Sequence, residues 1–211
     1  MLKRWWQDRK ERRNERQRLA LLEAALEVPV ELRDLDHVHP IILPGEILDL
    51  DWVGPCIPIN ETPFALAWAE VRDGNAWTYV SFAMADWWNG KGLDWQRMAF
   101  QNLRNASELG ANGEKLDCEG RPFMKVMLQA DAFGPSRLLI PGLFQHELGA
   151  AYQVAIPERT CAVAHRSELT VSEASDVEGV IKGCFAHGTE PMSPERFHAS
   201  TFWKPAIFGG W

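Results

Sequence analysis

Prolines at positions 29, 40, 44, 55, 58 and 63 punctuate the chain just where its first regular pattern ends. Each one removes a backbone N–H and pushes its predecessor out of helical geometry. Long helices are therefore ruled out across residues 29–63, which leaves short extended pieces and predicts a connector that wraps a body. The segment upstream is the opposite case. Residues 3–27 contain neither Gly nor Pro and are rich in Arg, Glu, Gln, Leu and Ala, so they read as one helix. Leu2, Trp5 and Trp6 cluster at its tip and Leu19, Leu21, Leu22, Ala25 and Leu26 at its base, with no apolar residue between 7 and 18. A stretch with no apolar stripe cannot pack on a core, so the helix is expected to project.

Downstream, FALAWAEVRDGNAWTYVSFAM (64–84) alternates Phe64, Leu66, Trp68 and Glu70 against Ala65, Ala67, Ala69 and Val71. Asp73-Gly74 follows as a turn and Trp77, Tyr79 and Phe82 as an aromatic return, which predicts a β-hairpin. ADWWNGKG (85–92) reads as a loop. LDWQRMAFQNLRNASEL (93–109) carries Trp95, Met98, Ala99, Leu103 and Ala106 at helical intervals. GANGEKLDCEGRP (110–122) reads as a turn-rich loop and 122–130 as a strand. Residues 134–148 read as helical with a break at Pro141-Gly142. Two short strands surround Pro157-Glu158-Arg159, a helix over 175–188 is capped by Ser175 or Asp176, and a last extended segment spans 197–208. The mixture predicts an α+β fold, an antiparallel sheet with helices packed on one face, plus the projecting N-terminal helix. The domain division is 1–28 basic helix, 29–63 connector and 64–211 α+β domain.

Charge sharpens the functional classes. Residues 1–18 hold eight Lys or Arg against three carboxylates, a net of +5, while the whole chain is −7; the remainder is therefore −12. An acidic body repels a phosphate backbone, so nucleic acid is excluded as the main partner. Asp8, Glu11 and Glu15 interrupt the basic run, and the apolar tip is short, so peripheral membrane contact is disfavoured. No run approaches the length of a spanning helix. The start of the chain lacks the apolar stretch and cleavage site of a signal peptide, so a cytoplasmic location with reduced thiols is expected. Cys56, Cys118, Cys161 and Cys184 show no CxxC spacing and no His/Cys cluster, which gives no support to a zinc or redox motif.

Candidate sites follow from residue chemistry. Leu2, Trp5 and Trp6, with Arg9 and Arg13 on the stalk, form the anchor of a helix that docks in a partner's groove. Trp87 and Trp88 are adjacent past a strand; either one of them belongs to a surface, an edge or an interface, or both pack under the following helix. Asp131, Ser136 and Arg137 at a helix entry make a weak anion site, against a structural role in capping and pairing. His37 and His39, with Asp34, Asp36, Asp49 and Asp51 nearby, supply the competing class, a metal-dependent hydrolase of unknown substrate. They lack a third ligand at a telling spacing, and His146-Glu147 fails as HExxH because position 150 is Ala. No metal site, cofactor or catalytic residue is assigned. The balance points to a protein partner: an accessory subunit or an inhibitor or immunity-type protein.

One ordered set of motifs has a counterpart. AFQNLRNAS (99–107), QADAFGPSRLLIPGLF (129–144), AYQVAIPERTCAVAH (151–165) and GVIKGCFAHGTEPMSPERF (179–197) occur in the order of the YtpQ-like family of bacterial proteins, a domain of unknown function. The matching positions are Ala99, Phe100, Asn102 and Leu103; Asp131, Ser136, Arg137, Leu138 and Leu139; Pro157; and Phe185, Gly188, Thr189 and Pro191. This resemblance covers about residues 97–208. It implies a shared fold for that half and no chemistry, since the family has none assigned. Thr160 stands where the family pattern has an acidic residue.

Overall fold

The structure, a computed structural model, describes residues 34–50, 52–72, 76–108, 113–128 and 133–203. The expected N-terminal helix, with Leu2, Trp5, Trp6, Arg9 and Arg13, lies outside them, as does Asp131. The described chain is α+β, with two antiparallel sheets where one was expected.

The first sheet is built on β3 (Phe64–Arg72). β1 (Val38–Pro44) pairs along one edge of β3 over Phe64–Glu70. β2 (Cys56–Ile59) and β4 (Ala76–Tyr79) lie end to end along the other edge, β2 against Phe64–Ala67 and β4 against Ala69–Arg72. The Trp68 carbonyl accepts from the Val80 N–H at 2.9 Å, which extends the β4 ladder. The expected hairpin is therefore present. Within the described part of 29–63 the extended pieces are β1 and β2, both strands of this sheet. Among the described residues each of these strands pairs on one side only, a setting that accommodates Pro40, Pro44 and Pro58.

β3 buries both faces, and its alternation is large against small rather than apolar against polar. Phe64, Leu66 and Trp68 enter the main apolar core. Ala65, Ala67 and Ala69 lie in a second cluster with Ile41, Leu43 and Ile47, flanked by Trp52, Cys56, Trp77 and Tyr79. Glu70 is buried too, and its Oε1 accepts from the Asp34 N–H at 3.3 Å.

Two helices follow. α1 (Phe82–Gly90) starts at Ser81, whose hydroxyl accepts from the Met84 N–H at 3.2 Å. The loop expected at 85–92 is thus mostly helix, because this cap and the buried Met84, Ala85 and Trp88 outweigh its Asn and Gly residues. α2 (Trp95–Glu108) buries Trp95, Ala99, Phe100 and Leu103. Asn102 Nδ2 donates to the carbonyls of Leu35 (3.0 Å) and Val38 (2.9 Å), which ties α2 to the chain entering β1. Trp95 packs edge-on to Trp68 at 5.3 Å and beside Trp88 at 5.7 Å.

The second sheet has the order β5-β6-β8-β7-β9, all antiparallel. Its strands are β5 (Gly113–Leu116), β6 (Pro122–Leu128), β7 (Gln153–Glu158), β8 (Cys161–His165) and β9 (Pro191–His198). The 110–122 segment, expected as a loop, contributes β5 because the Asp117–Arg121 turn folds it back on β6. Between β6 and β7 run a 3-10 turn (Pro135–Leu139) and α3 (Gln145–Leu148), broken at Pro141-Gly142 as expected. Met127, Val154, Ile156, Ala162 and Ala164 face the main core. The opposite face is covered by α4 (Val171–His187) through Val177 and Ile181. α4 begins earlier than expected. Thr170, not Ser175 or Asp176, is its N-cap, in a capping box with Glu173 that a search from the apolar run alone overlooks. The closing extended segment also comes earlier, as β9, and is followed by a 3-10 turn (Ala199–Phe202).

Asn102→Ala leaves two buried carbonyls without their donor and is expected to cost about 1–3 kcal/mol. Gly54→Ala is expected to cost at least as much, because a Cβ there would sit 1.7 Å from the Val80 carbonyl oxygen. Urea titration of each variant against wild type checks both values.

Candidate functional site

Helical geometry separates the tryptophan pair. Successive α-helical residues lie 100° apart, so Trp88 turns into the core while Trp87 turns out. Trp88 is 3% exposed and Trp87 38%. Trp88 is thereby removed from the partner-binding set, and its indole packs against Trp95. Trp87 lies beside Lys91, whose Nζ sits 4.6 Å from the ring centroid. Phe82, at the first turn of the same helix, is 56% exposed. Ala83, Asp86 and Gly90 occupy the outward arc between the two aromatics. The result is a helix face with small residues in the middle and a large aromatic on each side.

The other sequence candidates do not form sites of this kind. Ser136 and Arg137 are fully buried in a five-residue 3-10 turn capped by Gly134 without a side-chain bond. Burial removes the open helix N-terminus that an anion needs. His37 belongs to a 3-10 turn and pairs with Asp34 at 3.4 Å, exposed to solvent. His39 is buried in β1, its ring 4.3 Å from that of Phe133. The 3-10 turn breaks the strand pattern that would have put both on one face. Among the described residues no group of three His, Cys, Asp or Glu side chains is gathered for a metal.

A second site emerges at the C-terminal end of α4, in a cleft of about 340 Å³. Glu158, at the end of β7, is its polar centre: Oε2 accepts from the Thr160 N–H (2.7 Å) and hydroxyl (2.6 Å). Its Oε1 accepts from the Thr189 hydroxyl and the Glu190 N–H, both at 3.4 Å. Gly188 is required here. A Cβ would fall 2.2 Å from Glu158 Cγ and 2.6 Å from the Cys184 carbonyl oxygen. Within the cleft lining the Cys161 and Cys184 sulfurs are 3.1 Å apart, and both are free thiols. Burial, then the contact with Cys184 and the charge of Glu158, pushes the Cys161 thiol well above its ordinary range. The pair lies outside any cysteine spacing rule because 23 residues separate its members. Helical periodicity held the signal: Val177, Ile181 and Cys184 fall on one α4 stripe, which faces the β8 side that carries Cys161 and Val163.

Charged side chains brace the same sheet. Asp117 accepts from the backbone N–H groups of Arg121 (2.8 Å) and Glu119 (2.9 Å), and from the Arg121 and Arg166 guanidinium groups, each at 3.1 Å. The Arg121 backbone bond leads in holding its carboxyl down at about 2. Arg166 also reaches Glu173 in the α4 capping box at 2.9 Å. His165 is buried, and burial lowers its pKa; its Nδ1 donates to the Arg166 carbonyl at 2.7 Å, while Nε2 has no hydrogen-bond partner among the described residues. Comparison of the chain with models of known families, with curated proteins and with solved structures yields no match.

The tryptophan pair gives a direct test. Trp88→Ala should cost about 3–5 kcal/mol, whereas Trp87→Ala should change stability by no more than about 0.5 kcal/mol. Thermal unfolding followed by circular dichroism measures both.

The pH dependence has a definite sign. His165 resists protonation when folded, so stability falls as pH drops below its ordinary value of 6.5. Asp117 adds stability above the ordinary 3.8, lost as pH falls toward about 2. His165→Gln should flatten the upper part of a stability–pH curve and Asp117→Asn the lower part, as read by urea midpoints across pH.

Proposed function

We propose that this chain is a non-catalytic interaction protein, an accessory subunit or an inhibitor-type partner, that docks a protein through the outward face of α1. The observation that carries the reading is the exposure of Phe82 and Trp87 on one short helix whose opposite side is anchored in the core. Large aromatics held on a rigid element bind with little further loss of conformational freedom, which is why they recur as interface anchors. Ala83 and Gly90 allow close approach of a partner backbone between them; Asp86 sets a carboxylate within the face, and Lys91 lies at its edge beside Trp87. Leu48 and Leu50 are also exposed, and the Val53 carbonyl that follows them accepts from the Phe82 N–H at 3.1 Å, which brings this segment to the start of α1.

The N-terminal segment is proposed as a second contact, with Leu2, Trp5 and Trp6 as its anchor and Arg9 and Arg13 as its charged flank. A cytoplasmic location goes with this reading. Among the described residues no helix is long and apolar enough to cross a membrane.

Capture from the source cell with a photo-cross-linking residue placed at position 86 tests the proposal. The full-length protein should yield a defined cross-linked partner. Phe82→Ser with Trp87→Ser should reduce that yield at least tenfold while leaving the thermal midpoint within a few degrees, and removal of residues 1–18 should weaken it further. An unchanged yield in the double variant overturns the α1 interface, and an unchanged yield on truncation overturns the second contact.

A further inference from the structure

We infer that Cys161 and Cys184 are a reversible redox pair, which closes to a disulfide between β8 and α4 when a hydroperoxide or a small-molecule disulfide enters the cleft beside them. The sulfurs are already 3.1 Å apart. A disulfide brings them to about 2.0 Å, so closure needs a displacement of about 1 Å, within reach of side-chain rotation and a small shift of the last turns of α4. The two thiols differ in access. Cys161 is 1% exposed at the cleft floor, and Cys184 is partly exposed in its wall. Gly183, beside Cys184 in the cleft lining, adds no side chain that would narrow the cleft there.

Access sets the order of events. Cys184 loses its proton, and its sulfur attacks one oxygen of the hydroperoxide. The O–O bond breaks, an S–O bond forms, and the leaving oxygen departs as alcohol or water after taking a proton. Cys161 then attacks the Cys184 sulfur. The S–S bond forms, the S–O bond breaks, and hydroxide leaves with the Cys161 proton as water. Two thiols and one hydroperoxide give one disulfide, one alcohol (or water) and one water, with two electrons passing from sulfur to oxygen. With a small-molecule disulfide as oxidant the intermediate is a mixed disulfide on Cys184, and two small thiols are released. A thiol reductant reverses the closure: its sulfur attacks Cys184, the S–S bond breaks, Cys161 takes a proton, and a second reductant thiol releases Cys184 as the reductant's own disulfide forms. Cys56 and Cys118 lie in other parts of the molecule, Cys118 on the surface, and serve as internal controls.

The full-length protein, reduced and then treated with hydrogen peroxide or oxidised glutathione, is digested under non-reducing conditions and mapped by mass spectrometry. The expected product is a peptide pair joined through Cys161 and Cys184, lighter by two hydrogen atoms and separated by dithiothreitol. The oxidised protein should melt higher, by on the order of 5–10 °C, because the bond closes a loop between strand and helix. In Cys161→Ala, Cys184 should stop at the sulfenic acid or glutathione adduct; in Cys184→Ser, Cys161 should stay reduced under the same treatment. A wild-type protein whose Cys184 is capped while Cys161 remains a thiol overturns the proposal. So does a Cys161–Cys184 link that forms only after unfolding in denaturant. These readouts are independent of partner capture through α1.

Discussion

The packing of β3 is the constraint on which the fold depends. One nine-residue strand is paired along both edges and buried on both faces. Its large side chains fill the main core, and its alanines let Ile41, Leu43 and Ile47 close down on the other side. Neither face tolerates an exchange of sizes. A one-residue slip would put Phe64, Leu66 and Trp68 where only methyl groups fit and would leave voids in the core. The register of β1, β2 and β4 follows from this single asymmetry, and α2 is then fixed over β1 by Asn102.

Large against small is also why part of the architecture was legible in the sequence. The two faces of β3 can be read from Phe64 to Ala69, while Val71, expected with the alanines, packs against the main core; the helix over 95–108 can be read from its apolar spacing, because both signals are local. The membership of β1 and β2 in the same sheet was not, since prolines report what a segment cannot be and say nothing of which strand it will meet. α1 is not legible in the sequence because Asn89, Gly90 and Gly92 suggest a loop, whereas the Ser81 cap and the burial of Trp88 decide for helix. The start of α4 is hidden in the sequence because Thr170 and Glu173 sit upstream of the apolar run, with the exposed Val171 between them.

Site residues were legible to a different degree. Adjacent tryptophans left open whether one faces outward or both pack under the following helix; the helix and the burial of Trp88 decide for Trp87. Ser136 and Arg137 looked like an entry to a helix, but their burial depends on the packing of residues distant in sequence. The cysteine pair had the weakest signature of all. Spacing rules describe ligands or thiols brought together by a turn, whereas Cys161 and Cys184 meet because a helix stripe lies across a strand.

Arg159 has a mechanical consequence. It stands in the turn between β7 and β8, flanked by Glu158 and Thr160 of the cleft, yet its guanidinium reaches out of that sheet altogether. It lies 4.7 Å from the Trp77 ring centroid and donates to the Tyr79 hydroxyl at 3.1 Å, while Glu190 holds it at 2.8 Å from the start of β9. The turn is therefore a rivet through both sheets. Arg159 thus ties the β7–β8 turn beside the cleft to β4 of the other sheet through a single side chain.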